Sequence, residues 1–169
     1  MSNDLFDTYE LAGLKLNNRV AMAPMTRSRC PGNIPGELVA RYYSQRAEAG
    51  LLITEGTSPS PNGLGYPRIP GLFSAEQVQG WRMVTDAVHA AGSRIFVQLM
   101  HVGRVGHPLN LPDGARLLAP SAEAAPGEMF TDSDGMQPYP VPAAMTEQEI
   151  LDTIEEYARS AELAMEAGL

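Results

Sequence analysis

Short continuous apolar runs alternate with longer amphipathic stretches along this chain. Val20-Ala-Met-Ala-Pro24, Leu51-Leu-Ile53 and Ile95-Phe-Val97 are runs of the kind left by strands buried on both faces of a parallel sheet. Segments of helical spacing separate them. The first, roughly 37–49, carries Leu38, Tyr42 and Gln45 on one face. The second opens with the capping box Ser74-Ala-Glu-Gln77 and runs to Ala91, with Val78, Trp81, Val84, Thr85 and Val88 on one stripe. The third opens with another capping box, Thr146-Glu-Gln-Glu149, and its stripe is Ile150, Ile154, Tyr157, Ala161 and Ala164. Each helix leads into a glycine junction: Ala49-Gly50-Leu51, Ala91-Gly92-Ser93 and Ala167-Gly168-Leu169. A glycine there supplies the left-handed conformation that closes a helix before a strand. The order is β-α-β-α-β-α followed by the stub of a fourth strand, whose continuation is expected elsewhere.

Alternation of this kind implies parallel strands joined by helical crossovers. Ahead of it, Tyr9-Glu-Leu-Ala-Gly13-Leu-Lys-Leu16 predicts a small hairpin turning at Ala12-Gly13, suited to a plug under a barrel or a sheet edge. One connection is out of proportion. From Arg104 to Ala144 neither periodicity shows, and seven of the 14 prolines fall there. Leaving the C-terminal end of the third strand, where α/β sites are built, it reads as a capping excursion over residues 104–145, the competing reading being a floppy surface loop. The pattern leaves a doubly wound sheet and a (β/α)8 barrel both open. No Gly-x-Gly-x-x-Gly follows a strand, which removes the main support for a dinucleotide-binding sheet.

Composition narrows the partners. At 169 residues and 44% apolar content, one globular domain is expected, with no run long enough to span a bilayer. A net charge of −8 argues against nucleic acid or an anionic membrane as partner. The start, Met1–Asp7, is acidic and lacks the pattern of a signal peptide; the lone Cys30 fits a reducing compartment, so the cytoplasm is the expected location.

Candidate chemistry sits at the strand ends. Ala23-Pro24-Met25-Thr26-Arg27 closes the first strand: Pro24 fixes the backbone, small Ala23 admits a flat ligand, and Thr26 offers a hydroxyl. On composition alone the plainer reading, a strand end followed by a turn, is favoured over a ligand site. The second strand ends in Thr54-Glu55-Gly56-Thr57, with Gly63-Leu-Gly-Tyr66 beyond. Glu55 reads as a buried acid or as a partner of the neighbouring strand. The third ends in Gln98-Leu-Met-His101-Val-Gly-Arg104, where Gln98 and Met100 share a face. The Gln98 amide needs partners that a heterocycle with donor and acceptor edges would supply. His101 faces the other way and reads as structural. Scattered His89, His101 and His107 make no metal site.

Together these strand ends resemble the old yellow enzyme family of FMN-dependent NAD(P)H ene-reductases. The matching stretches are Asn18–Arg27, Tyr42–Gly50, Leu51–Thr57, Gly63–Tyr66 and Gln98–Arg104, in the family's order and spacing. The resemblance implies an α/β fold, the N-terminal part of a (β/α)8 TIM barrel, with the N-terminal hairpin (1–18) and a capping region after strand three. It implies FMN as cofactor and NAD(P)H as hydride donor. Ala23, Pro24, Met25, Thr26, Gly56 and Gln98 would touch the flavin; Thr26, Tyr66 and Met100 would line the substrate pocket. Many relatives carry tryptophan where this chain has Met100, which predicts a roomier pocket.

The family's fourth strand carries a His-x-x-His or His-x-x-Asn pair and a proton-donating tyrosine, and no residue here takes those roles, so no catalytic residue is assigned. The implied activity is reduction of activated alkenes, enones and by extension nitro compounds, with this chain supplying part of the site. The alternative is a non-catalytic half-barrel. An unrelated barrel enzyme for phosphorylated metabolites is disfavoured by the absence of a phosphate loop. An unpaired strand edge predicts association with a complementary half or a second copy. Cys30, in the loop after the first strand, is open between a reactive thiol near the flavin and an inert one.

Overall fold

A computed structural model describes residues 4–169; Met1, Ser2 and Asn3, part of the acidic start, lie outside the described residues. The chain opens with an antiparallel hairpin, β1 (Tyr9–Leu11) and β2 (Leu14–Leu16). Ala12 and Gly13 both take positive φ (47° and 88°), the combination a two-residue turn needs to match strand twist. The central sheet follows in the order β3 (Ala21–Met22), β4 (Leu51–Thr57), β5 (Arg94–Leu99), all parallel. Helices α1 (Glu37–Ser44), α2 (Ala75–Ala90) and α3 (Glu147–Ala167) complete three β/α units.

All three helices cover the same face. Val39 and Tyr43 of α1, Trp81, Val84 and Val88 of α2, and Leu163 and Ala164 of α3 share one core with Leu52 and Ile95 of the strands. A doubly wound sheet would carry helices on both faces. One-sided cover is the geometry of a barrel wall, which decides between the two folds the pattern allowed. Both capping boxes form: Ser74 Oγ accepts from the Gln77 N–H and Thr146 Oγ1 from the Glu149 N–H. No helix among the described residues is long and apolar enough to cross a membrane.

Four expectations are corrected. First, α1 ends at Ser44, short of residue 49, and buries Val39, Ala40 and Tyr43, while Leu38 is 63% exposed and Gln45 is exposed. The expected face is the helix flank, not its core side. Second, of the three junction glycines only Gly92 and Gly168 are left-handed (φ 88° and 87°). Gly50 is required for space: an added Cβ would collide with the Asn18 carbonyl oxygen, and its N–H donates to Asn18 Oδ1 at 2.8 Å.

Third, β5 alternates rather than being buried throughout; Ile95 is 2% exposed and Phe96 43%. Fourth, the stretch from Arg104 to Ala144 contains β6 (Leu118–Ala119), β7 (Glu128–Thr131), β8 (Gly135–Pro138) and β9 (Ala143–Ala144). β7 and β8 form a hairpin with Met129 and Thr131 buried, and β6 pairs with β9. Strands of two to four residues are too brief to show a period. The segment is fastened: Asn110 Nδ2 donates to the carbonyls of Gly65 (3.0 Å) and Phe130 (2.9 Å), and Arg116 pairs with Glu149 of α3 at 2.6 Å.

Candidate functional site

The C-terminal ends of β3, β4 and β5 meet around an irregularity in β4. Pairing with β5 shifts between Ile53 and Gly56, so that Gly56 lies opposite Gln98. A bulge of this kind re-aims side chains. Here it sends Glu55 into the protein, 1% exposed, and leaves Gly56 at the mouth. The Glu55 carboxylate accepts the Arg27 N–H at 3.0 Å, which draws the end of the Ala23–Arg27 stretch against Glu55-Gly56. The Glu55 N–H donates to the Tyr43 hydroxyl at 2.7 Å, and the Gln98 N–H to Thr54 Oγ1 at 3.1 Å. Met100 is placed by its N–H, which donates to the Thr57 carbonyl at 2.9 Å.

Met100 lies across Gly56. A Cβ built on Gly56 would meet the Met100 terminal methyl carbon and, at 2.6 Å, its Sδ. A side chain at residue 56 would push the thioether away, so glycine is what allows Met100 to lie over β4 beside Gln98. Ala23, Met25, Thr26 and Gln98 are exposed. With its backbone N–H already bonded, Gln98 keeps a carboxamide to offer both a donor and an acceptor. The structure therefore brings Gly56, Gln98 and Met100 together and holds the Thr26 segment beside them.

Tyr66 falls with the excursion. Gly65 accepts from the His107 N–H (3.1 Å), and burial, followed by the neighbouring Tyr66, raises the Tyr139 pKa. His101 braces the loop: Nδ1 accepts the Gly103 N–H at 3.1 Å, its own N–H donates to the Tyr157 hydroxyl of α3 at 2.9 Å, and burial lowers its pKa. Cys30 is fully buried, and burial together with the Glu55 charge raises its pKa; the thiolate is suppressed, which answers the open question in favour of an inert thiol.

Sequence reasoning left the Glu55 cluster undecided. Burial raises the Glu55 pKa, against the opposing Arg27 N–H and charge, and Tyr43 is raised by the same burial and by Glu55 itself. Tyr42 and Tyr43 were visible only as members of a helix, and nothing in their spacing says that Tyr43 reaches across to a strand. Unnoticed too was Arg68, whose Nε donates to the Ser28 carbonyl at 3.1 Å while its guanidinium pairs with Asp132, joining the loops after β3 and β4 to the β7–β8 hairpin.

Known proteins resemble this arrangement along nearly the whole chain. The family model of the NADH:flavin oxidoreductase / NADH oxidase family matches residues 4–169. The rice protein 12-oxophytodienoate reductase 7 is 41% identical over 167 residues, covering 97% of this chain and 42% of that protein. The "Probable flavin mononucleotide-dependent alkene reductase" of Leishmania infantum is 40% identical over 163 residues, covering 94% of this chain and 45% of its own length. Morphinone reductase, solved in complex with tetrahydroNAD, superposes with a TM-score of 0.92 at 46% identity, over 98% of this chain and 47% of that structure. The chain thus spans somewhat under half the length of the relatives it matches.

Proposed function

The chain belongs to the NADH:flavin oxidoreductase / NADH oxidase family, within which it resembles the old yellow enzymes; from that premise we propose that residues 1–169 form the N-terminal half of an FMN-dependent barrel that reduces activated alkenes at the expense of NAD(P)H. The observation that carries the reading is the mouth of β4 and β5: glycine opposite Gln98, a thioether across it, and an exposed threonine alongside. FMN supplies the hydride transfer when bound. The chain's part is to hold and tune it. Ala23, Pro24 and Met25 would form a wall without a bulky side chain at Ala23 or a donor at Pro24, and the Thr26 hydroxyl would donate to a flavin carbonyl. Gly56 allows close approach, and the Gln98 carboxamide matches a ring edge that alternates acceptors and donors. Thr26, Met100 and, from the loop, Tyr66 border the space left for an enone.

The test is flavin uptake. Residues 1–169 are fused to the portion of morphinone reductase that follows its matching segment, and the purified, desalted protein is examined by visible absorbance. The expected result is near-stoichiometric oxidised flavin, weakened at least about tenfold in affinity by Q98L, which deletes hydrogen bonds to a buried ring edge. A folded fusion that stays colourless with added FMN would overturn the reading and favour the non-catalytic half-barrel.

A further inference from the structure

Along the flank of α1 that faces away from α2 lies a cavity of about 420 Å³. The guanidiniums of Arg27, Arg29, Arg41 and Arg46 line it, against a single carboxylate, that of Glu55. This concentration of positive charge stands out in a chain of net charge −8. Two of the four are held in place by stacking: the guanidinium carbons of Arg27 and Arg46 sit 4.9 Å and 3.8 Å from the Tyr42 ring centre. Arg29 is held by the carbonyls of Arg27 (3.1 Å) and Ser28 (3.0 Å). Among the described residues, the ion pairs involve Arg68, Arg104, Arg116 and Arg159, and none of these four. The buried Glu55 Oε1 has no hydrogen-bond partner either. Four guanidiniums gathered against one carboxylate, and a buried acceptor without a donor, both call for a ligand.

The position of the cavity says what kind. β3 is an edge strand, and among the helices α1 packs chiefly against α2. In a closed eight-unit barrel, the free side of the first unit meets the last unit. We propose that the cavity is a socket at this seam, receiving an acidic peptide segment from the last β/α unit of the complementary half. A carboxylate of that segment pairs with Arg41 and Arg46, and a backbone N–H donates to Glu55 Oε1. The proposal rests on the half-barrel reading above. The forked donors of arginine suit a carboxylate geometrically. The socket also gives direction to closure: exposed apolar edges accept many partners, whereas a charged pocket at one edge admits only the edge that carries the opposite charge. The opposite edge of this chain, α3, is itself acidic, with Asp152, Glu155 and Glu156 exposed or half-buried along one groove, so a second copy is the competing occupant.

The fusion described above tests it. R41E/R46E is expected to lower its melting temperature by at least about 3 °C, by a margin that shrinks as salt is raised, and R41K/R46K to stay within about 1 °C. In the isolated 169-residue chain the same reversal should lower melting by clearly less than in the fusion, because there it costs only the contacts of Arg46 with the Tyr42 ring and carbonyl while relieving repulsion. A fusion that binds FMN and is indifferent to R41E/R46E would overturn the socket while leaving the half-barrel reading intact; a fusion that neither folds nor binds FMN would overturn both. Self-association of the isolated chain in sedimentation, abolished by R41E/R46E, would assign the socket to a second copy instead and overturn the proposed partner.

Discussion

The two faces of β5 are built from the same kind of residue and do opposite things. Ile95 and Val97 turn toward the helices and join a core with Trp81, Val84 and Val88; Phe96, between them, points to the open side with Gln98 two residues on. On the helix side, burial of apolar area holds the three units together. On the open side, Phe96 and Gln98 are exposed and no described element covers them. A contiguous apolar run thus marks two surfaces, one covered by the helices and one left open among the described residues, and the difference sets where substitutions should hurt.

The largest effect is expected on the closed side. Trp81 is fully buried, and its indole N–H donates to the Gly71 carbonyl at 3.1 Å. W81A should cost about 3–5 kcal/mol in urea unfolding, from lost transfer energy and a residual cavity, whereas F96A should cost less than about 1 kcal/mol. Comparable losses from the two substitutions in the isolated chain would show that the open face is already covered there.

Next in size is Gly80, on the flank of α2 toward α1. An added Cβ would stand 2.5 Å from the Pro35 carbonyl oxygen and 3.1 Å from the Ile34 side chain. Alanine normally gains about 1 kcal/mol over glycine inside a helix, but backbone cannot swing aside as a side chain can, so overpacking should prevail and G80A should lose about 1–2 kcal/mol net. An increase in stability would mean that the loop before α1 gives way easily.

Glu55 lies on the boundary between the faces, and its signature is a pH slope. Burial favours the neutral acid, so the folded chain holds this proton to higher pH than the unfolded chain does. Below the unfolded value, about 4, both states are protonated and the group contributes no slope. As pH rises past it the unfolded chain ionises first, and stability falls until the folded carboxyl ionises too. E55Q keeps an acceptor for the Arg27 N–H, and should flatten that fall in stability-versus-pH curves. An unchanged slope would place its origin in another carboxyl.

What the sequence made legible follows the same divide. The α2 stripe, both capping boxes and the turn at Ala12-Gly13 are local: each is set by residues within a few positions, and the expected spans match. The helix-facing core needs only the 3.6-residue period. The α1 face was misread because Leu38, Tyr42 and Gln45 repeat at helical spacing just as Val39 and Tyr43 do, and only packing against α2 separates them. The α3 stripe splits for a related reason. Tyr157 and Ala164 pack inward while Ile150 and Ile154 stay 45% and 61% exposed and Ala161 is exposed too, so only part of the expected stripe faces the core. Glu55 was undecidable because its direction depends on a bulge, and a bulge is a property of two paired strands rather than of one. The resemblance assigned roles to the strand-end residues that spacing alone could not suggest. It was silent on the arginine cavity, whose members come as two pairs, Arg27 with Arg29 and Arg41 with Arg46, that gather only when α1 is laid on the end of β3.

The smallest expected effect, and the one that separates stability from site, is at Gly56. An added methyl would strike the far end of Met100, a flexible thioether that can rotate away, rather than backbone. G56A should therefore cost less than about 1 kcal/mol in unfolding, in contrast to Gly80. Its consequence belongs to the open face: the displaced thioether and the new methyl both enter the space proposed for the flavin, so flavin uptake by the fusion should drop at least about tenfold while unfolding barely changes. G56A/M100A removes one of the two intrusions and should recover part of that loss. A large stability cost with intact flavin uptake would reverse the assignment, making Gly56 a packing residue and moving the flavin cradle away from the junction of β4 and β5.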